Sequence, residues 1–224
     1  MSDSRPHTLV VVANPDPDSL TRRLAAQVAA AVSARGATAE LADLCGEGFD
    51  PRWTMADRLA YQGRGPAPSD VVAEQRRVDR ATDLVLVFPV YWWSMPAVLK
   101  GWIDRVFISG WAFDITDGGE IVPGLQTLRT HAIAIAGSDA GVYHRHGYEQ
   151  AIRTQLAHGV LDFCGSPQGT ITMLYDSEEA TGAARPREVD RVVGEVARAV
   201  AGRPTPGPEH DDNHHETPDE KDLA

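Results

Sequence analysis

The sequence predicts a doubly wound α/β domain, with five parallel strands in the order 2-1-3-4-5 and helices on both faces of the sheet. Three observations carry this. Short apolar runs alternate with longer stretches whose apolar residues recur at helical spacing, the sequence form of repeated βαβ units. The chain opens in the order strand, turn, helix, strand. No GxGxxG turn follows the first strand, which sets aside the dinucleotide-binding version of the fold.

Residues 8–13 (TLVVVA) are almost wholly apolar, as a strand covered on both faces requires. The proline- and aspartate-rich turn 14–19 (NPDPDS) follows. A helix is expected over 20–35, with Leu24, Val28, Ala31 and Val32 inward and Gly36 as its stop. A short second strand spans 38–41. Residues 46–69 are irregular apart from one helical piece over 55–61, and a connection of that length is usually functional or mobile. Ser69 or Asp70 is expected to cap a helix through 81 that leads into the third strand, 84–88 (LVLVF). Pro96 suits the first turn of the next helix, whose apolar positions are Val98, Leu99, Trp102, Ile103 and Val106. An insertion over 109–130 carries turn chemistry at Asp117-Gly118-Gly119. The fourth strand is 131–136 (HAIAIA), followed by a small-residue loop at 137–141, the stretch 142–147, and a helix over 148–163. The fifth strand is 169–174, and the last helix, 186–201, turns Val189, Val192, Val193 and Val196 inward.

At 224 residues the chain can bury a substantial core, and 1–202 is expected to form one domain. The formal charge of −11 argues against a nucleic-acid or anionic-membrane surface. Residues 203–224 carry seven acids and two bases, leaving 25 acids against 19 bases in 1–202. That last stretch has almost no apolar residues and is expected to be a disordered acidic tail, its His210, His214 and His215 solvated rather than metal-bound. Cys45 and Cys164 show neither CxxC nor metal spacing, the pattern of a reduced, cytoplasmic protein. The longest apolar stretch, around 84–93, contains Pro89 and falls short of the roughly 20 residues a membrane helix needs, and no signal peptide is evident.

The chemistry is expected in loops at the carboxyl ends of the strands. The first loop ends in a helix N-terminus, whose unpaired N–H groups and dipole suit a phosphate. Ser19 and Thr21 add hydroxyl donors, Leu20 lies between them, and Asn14 can donate an amide N–H, while Asp16 and Asp18 must point elsewhere. The second loop runs through Val90-Tyr91-Trp92-Trp93-Ser94-Met95. Three consecutive large aromatics there are costly in water unless they pack on something flat, and a planar heteroaromatic cofactor fits. Lys100 and Arg105 lie past the helix start, so they are expected in salt bridges or interface contacts.

The run Pro89, Trp92, Trp93, Ser94, Pro96, Leu99, Lys100, Gly101, Trp102, Asp104, Arg105, Val106 and Phe107 resembles the flavodoxin-fold NAD(P)H:quinone oxidoreductases, a group that includes ancillary reductases of potassium efflux. The resemblance implies a flavodoxin-like fold, a flavin cofactor (FAD, with FMN as the alternative) and NAD(P)H as co-substrate. It implies cofactor contacts from Asn14 (where the family has His), Ser19, Leu20 and Thr21, and from Pro89, Val90, Tyr91, Trp92 and Trp93. Ala136, Gly137 and Ser138 stand where the family's Thr-Thr-Gly-Gly segment lies. Tyr143 and His146 resemble the Tyr and His that steady the reduced flavin or protonate the quinone, with His144 competing for the second role. A homodimer with the active site at its interface is also implied, with Tyr61 and either Trp111 or Phe113 in the wall given by the second subunit. The reaction implied is two-electron, ping-pong reduction of a quinone or related electrophile. Two other readings stay open from the residues. One is a regulatory flavoprotein docked on a potassium-efflux transporter, suggested by Gly110-Trp111-Ala112-Phe113 with Gly118-Gly119. The other is a flavodoxin-type one-electron carrier, against which the modest charge of 1–202 and the Trp-rich slot speak.

Overall fold

The structure is a computed structural model that describes residues 5–178 and 185–202. Its strands are β1 (His7–Val12), β2 (Thr38–Asp43), β3 (Asp83–Pro89), β4 (Phe113–Ile115), β5 (Ile121–Pro123), β6 (Arg129–Ile135) and β7 (Gln168–Leu174). The α-helices are α1 (Leu20–Ser33), α2 (Met55–Tyr61), α3 (Ser69–Asp79), α4 (Ala97–Val106), α5 (Ala140–His146), α6 (Tyr148–Arg153) and α7 (Arg185–Ala201), and a π-helix spans Thr154–Asp162. Five strands pair in parallel in the order β2-β1-β3-β6-β7. This is the expected order once the antiparallel β4–β5 hairpin, which lies outside the sheet, is set aside.

Alternate residues of the central strands feed two separate cores. Leu9, Val11, Leu84, Leu86, Phe88, Ala132 and Ala134 pack with Leu99, Trp102, Ile103 and Val106 of α4 and with Leu156 and Leu161 of the π-helix. On the other face Val10, Val12, Val85, Val87, Ile133 and Ile135 pack with Leu24, Val28 and Val32 of α1 and Val192, Val193 and Val196 of α7. Continuous apolar runs are what a sheet with helices on both sides requires, because no strand face meets water.

The structure corrects three local expectations. Neither Ser69 nor Asp70 caps α3: Ser69 is already helical, and Pro68 holds the cap position without a side-chain hydrogen bond. The small-residue loop expected over 137–141 ends early, since Asp139 accepts a hydrogen bond from the Val142 N–H and α5 already starts at Ala140. Gly147, at φ +69°, ends α5 and begins α6, a left-handed turn that glycine makes without steric cost. The single helix expected over 148–163 is α6 followed by the π-helix. The expected tail, its histidines and the boundary at residue 202 lie outside the described residues.

The family-like run in α4 proves largely architectural. Gly101 faces the chain at Pro51, and a Cβ there would lie 2.3 Å from the Pro51 carbonyl oxygen. Arg105, 4% exposed, gathers the long 46–69 connection. Its Nε donates to Asp57 Oδ1 at 2.9 Å, Nη1 to Asp70 Oδ2 at 2.6 Å and to the Asp50 carbonyl at 2.7 Å, and its guanidinium lies over Phe49. Lys100 pairs with Asp104 on the surface. The expectation of structural ion pairs for both side chains therefore holds. Among the described residues no helix is long and apolar enough to cross a membrane.

Candidate functional site

The carboxyl ends of the sheet strands are knitted together by loop hydrogen bonds. Ala13 N–H donates to the Val87 carbonyl, Val90 N–H to Ile135, and Ala136 N–H to Leu174. The segment after β7 is tied back by Asp176 N–H to Ser138 and Ser177 N–H to Ala136. Strand order reverses between β1 and β3, which opens the crevice where open α/β sheets take ligands.

The second loop turns within four residues. Tyr91 and Ser94 exchange backbone hydrogen bonds in both directions, each at 3.0 Å, and the two central residues have positive φ, Trp92 at +47° and Trp93 at +56°. This is a two-residue turn of the I′ kind, which normally selects Asn-Gly. A tryptophan in left-handed backbone costs about 1–2 kcal/mol. Two in succession beside a cavity are backbone strain of the kind that clusters at functional sites. The turn leaves the Trp92 and Trp93 N–H groups outside its own hydrogen bonds. Ser94 Oγ donates to Gln155 Oε1 of the π-helix at 3.0 Å, fixing the turn from below; π-helical segments frequently mark functional sites.

A cavity of about 320 Å³ lies beside this turn, lined by Val90, Trp92, Trp93, Gly137, Ser138, Tyr143 and Glu178. The second and third loops expected from the sequence therefore meet. Pro89 closes β3 below them, Ala136 is buried at the base, and Tyr91 stands half in solvent. Trp92 is 87% exposed. Tyr143 is buried, and burial raises its phenol pKa, so the hydroxyl stays a proton-bearing donor. His146 does not line the cavity; it is exposed at the end of α5, stacked on Tyr148, and His144 is likewise exposed.

The first loop is built from within. Asn14 is buried, its Nδ2 donating to Thr21 Oγ1 at 3.1 Å and its Oδ1 accepting from the Asp16 N–H at 3.0 Å. Thr21 is buried too, so both side chains brace the loop. Ser19 is the N-cap of α1, its Oγ accepting from the Arg22 N–H, which leaves the hydroxyl proton available to a ligand. Asp16, exposed, accepts from the Asp18 N–H through its Oδ1 at 2.9 Å. None of Asn14, Ser19, Leu20 and Thr21 lines the cavity itself.

Sequence reasoning missed three groups. Glu178 enters the cavity from the turn after β7, and a Cβ on Gly137 would sit 3.1 Å from its carboxyl. Tyr175 meets Tyr143 edge-on, with ring centroids 5.3 Å apart, and donates to Glu149 Oε2 at 2.7 Å. Gln155 holds the turn. The position of Tyr175 and Glu178 just past a strand end was the one usable signal; Gln155 had none.

A second, more apolar cavity of about 380 Å³ lies among α2, α4, the hairpin and the π-helix. Trp53, Tyr61, Phe107, Phe113 and Phe163 line it, with Asp104 and Cys164. Of the two expected wall residues in the insertion, Phe113 is here, while Trp111 packs on Phe107 and donates its indole N–H to Asp79.

Residues 6–196 match a protein family described as having a flavodoxin-like fold. A ribosyldihydronicotinamide dehydrogenase [quinone] of Mus musculus is 33% identical over 198 residues, spanning 76% of this chain and 84% of that one. Among solved structures, an NAD(P)H:quinone oxidoreductase from Methanothermobacter marburgensis superposes with a TM-score of 0.76 at 24% identity, over 88% of this chain and 98% of that one. An FMN-dependent NADH-azoreductase from Bacillus anthracis, in complex with FMN, gives 0.64 at 16% identity, over 88% and 98%. The two structural likenesses show the fold.

Proposed function

The chain belongs to the quinone-reducing NAD(P)H oxidoreductases of flavodoxin-like fold, and from that premise we propose that it is a flavin-dependent enzyme acting by a two-electron, ping-pong sequence. The observation that carries this is the strained Tyr91–Ser94 turn, whose 87% exposed Trp92 and whose two N–H groups outside the turn's own hydrogen bonds lie beside a cavity lined by Gly137 and Ser138. The residues fit a flavin: a flat aromatic face, backbone donors for its polar edge, small residues where its ring must approach the backbone, and a capped helix N-terminus for its phosphate. A bound flavin would supply hydride acceptance from NAD(P)H and hydride donation to the quinone.

The chain's own residues do the rest. Trp92 and Trp93 form the apolar wall that excludes water and gives a planar ligand a stacking face. The Trp92 and Trp93 N–H groups, held in place before any ligand arrives, favour negative charge developing beside them. Tyr143 keeps its proton and offers a neutral hydroxyl, and His146, exposed at the end of α5, carries the proton that a quinone oxygen takes up on reduction. Ser19 and the first turn of α1 receive the phosphate. FAD is favoured, with FMN as the alternative; the name of the azoreductase above is that of an FMN enzyme. Two free thiols suit a reducing, cytoplasmic setting. A homodimer is part of the proposal: Tyr61, Phe113 and Phe163 leave an aromatic groove beside exposed Trp53 and Met55, an unusual concentration of apolar surface for a monomer.

The test is an anaerobic titration of flavin-loaded protein with NADPH and, separately, NADH. Rapid full bleaching of the visible flavin band, reversed by adding a quinone, is the expected result. Slow or absent bleaching would refute it and favour a regulatory or carrier role.

A further inference from the structure

Tyr148 does not line the cavity, yet its ring touches three side chains of the candidate site, Trp93 from the turn after β3 and Tyr143 and His146 from α5. Trp93 of the turn stacks on it with centroids 4.2 Å apart and planes 27° apart. His146 stacks on it at 5.2 Å and 20°. Tyr143 meets it edge-on at 5.8 Å and 83°. Residues two apart on one continuous helix point to different sides and cannot stack. His146 and Tyr148 manage it because Gly147 between them is left-handed and breaks the helix. The half-buried Tyr148 packs against the main core, so its ring is anchored where the exposed His146 is not.

We propose that Tyr148 is the positioning residue of this site, its flat ring holding Trp93 as a cavity wall and selecting one orientation of the otherwise exposed His146 imidazole. This rests on the quinone-reductase reading above, in which His146 supplies the proton. Tyr148 touches no reacting atom, and its contacts run through the ring rather than the hydroxyl.

Two variants separate ring from bulk: Tyr148→Leu keeps apolar volume without a flat face, and Tyr148→Phe keeps the face without the hydroxyl. In the apoprotein, proton NMR of the histidine rings reports the stack directly, the His146 signal being identified by its loss in His146→Gln. Its ring-current displacement should persist in Tyr148→Phe and vanish in Tyr148→Leu. In flavin-loaded protein, kcat/KM for benzoquinone should fall about tenfold in Tyr148→Leu, the equivalent of one aromatic stack, and stay within about twofold in Tyr148→Phe. Tyr148→Leu should add little to His146→Gln in the double variant, because the two act through one group. An unmoved His146 signal in Tyr148→Leu would overturn the proposal. So would unchanged kcat/KM with a lowered melting temperature, which would make Tyr148 packing only, or a loss in Tyr148→Phe as large as in Tyr148→Leu. Wild-type protein without NAD(P)H-driven quinone turnover would instead overturn the functional reading, and the NMR comparison would still decide whether Tyr148 orients His146.

Discussion

Replacing Trp92 by glycine separates the cost of the site from its use. Trp92 sits at φ +47° in the Tyr91–Ser94 turn with 87% of its surface in solvent, so it contributes almost no buried area of its own. Glycine relieves about 1–2 kcal/mol of left-handed backbone strain. Against that stand glycine's greater loss of chain entropy, about 0.5–1 kcal/mol, and the edge-on contact of Trp92 with Trp93 at 5.4 Å, worth about 0.5 kcal/mol at so exposed a position. These nearly cancel. The apoprotein of Trp92→Gly should therefore melt within about 4 °C of wild type, since 1 kcal/mol corresponds to about 2–4 °C in a domain of this size. Flavin affinity should behave differently. Losing one aromatic face against a planar ligand removes about 1.5 kcal/mol, roughly a tenfold rise in Kd. Calorimetric melting of the apoprotein and fluorescence titration with FAD and FMN measure the two quantities separately. A melting temperature lowered by 10 °C or more (about 3 kcal/mol) with unchanged flavin affinity would refute the reasoning, and would place Trp92 in a protein interface instead.

Three further outcomes follow from the packing. Arg105→Met should destabilise the fold by about 3–5 kcal/mol in urea unfolding, because it strands the buried Asp57 carboxylate and releases the 46–69 connection. A loss under 1 kcal/mol would show that Thr54 alone satisfies Asp57. Gly101→Ala should cost about 1–3 kcal/mol, since the new methyl meets the Pro51 backbone rather than a movable side chain; unchanged stability would mean the loop yields. For acid stability, Glu149 is held below its usual pKa of 4.5, first by the Tyr175 hydroxyl and then by Arg153, against burial pushing the other way. A depressed carboxylate stabilises the fold above its unfolded pKa, and that stability is lost as pH falls through the folded value. The urea midpoint should thus fall more steeply below about pH 4.5 in wild type than in Tyr175→Phe, where the hydroxyl is absent; parallel acid limbs would exclude this pair as a contributor.

Much of the site was legible because it uses local chemistry. The strand–loop–helix grammar placed the loops after β1, β3 and β6 at one end of the sheet, and an aromatic loop at a buried strand's end announced a flat ligand. Arg105 and Lys100 were legible as structural because they sit beyond the helix start, where no phosphate can reach. Other assignments shifted once distances existed. Asn14 read as a ligand donor, and in the fold it also braces Thr21. His146 read, by resemblance, as a proton donor, and in the fold it is exposed outside the cavity lining, stacked on Tyr148.

The amino-acid sequence by itself determined the class of fold, the strand order, the positions of the strand-end loops and the family, because hydrophobic periodicity and turn residues act over a few neighbours. Only the tertiary structure decided that Trp92 and Trp93 occupy a strained left-handed turn, that Glu178 lines the cavity from the segment after β7, and that the Tyr148 ring touches Trp93, Tyr143 and His146. Those facts depend on contacts between residues tens of positions apart in the chain, such as Ser94 with Gln155 and Trp93 with Tyr148. No local pattern encodes such a contact; it exists only once the sheet has brought its strand ends together.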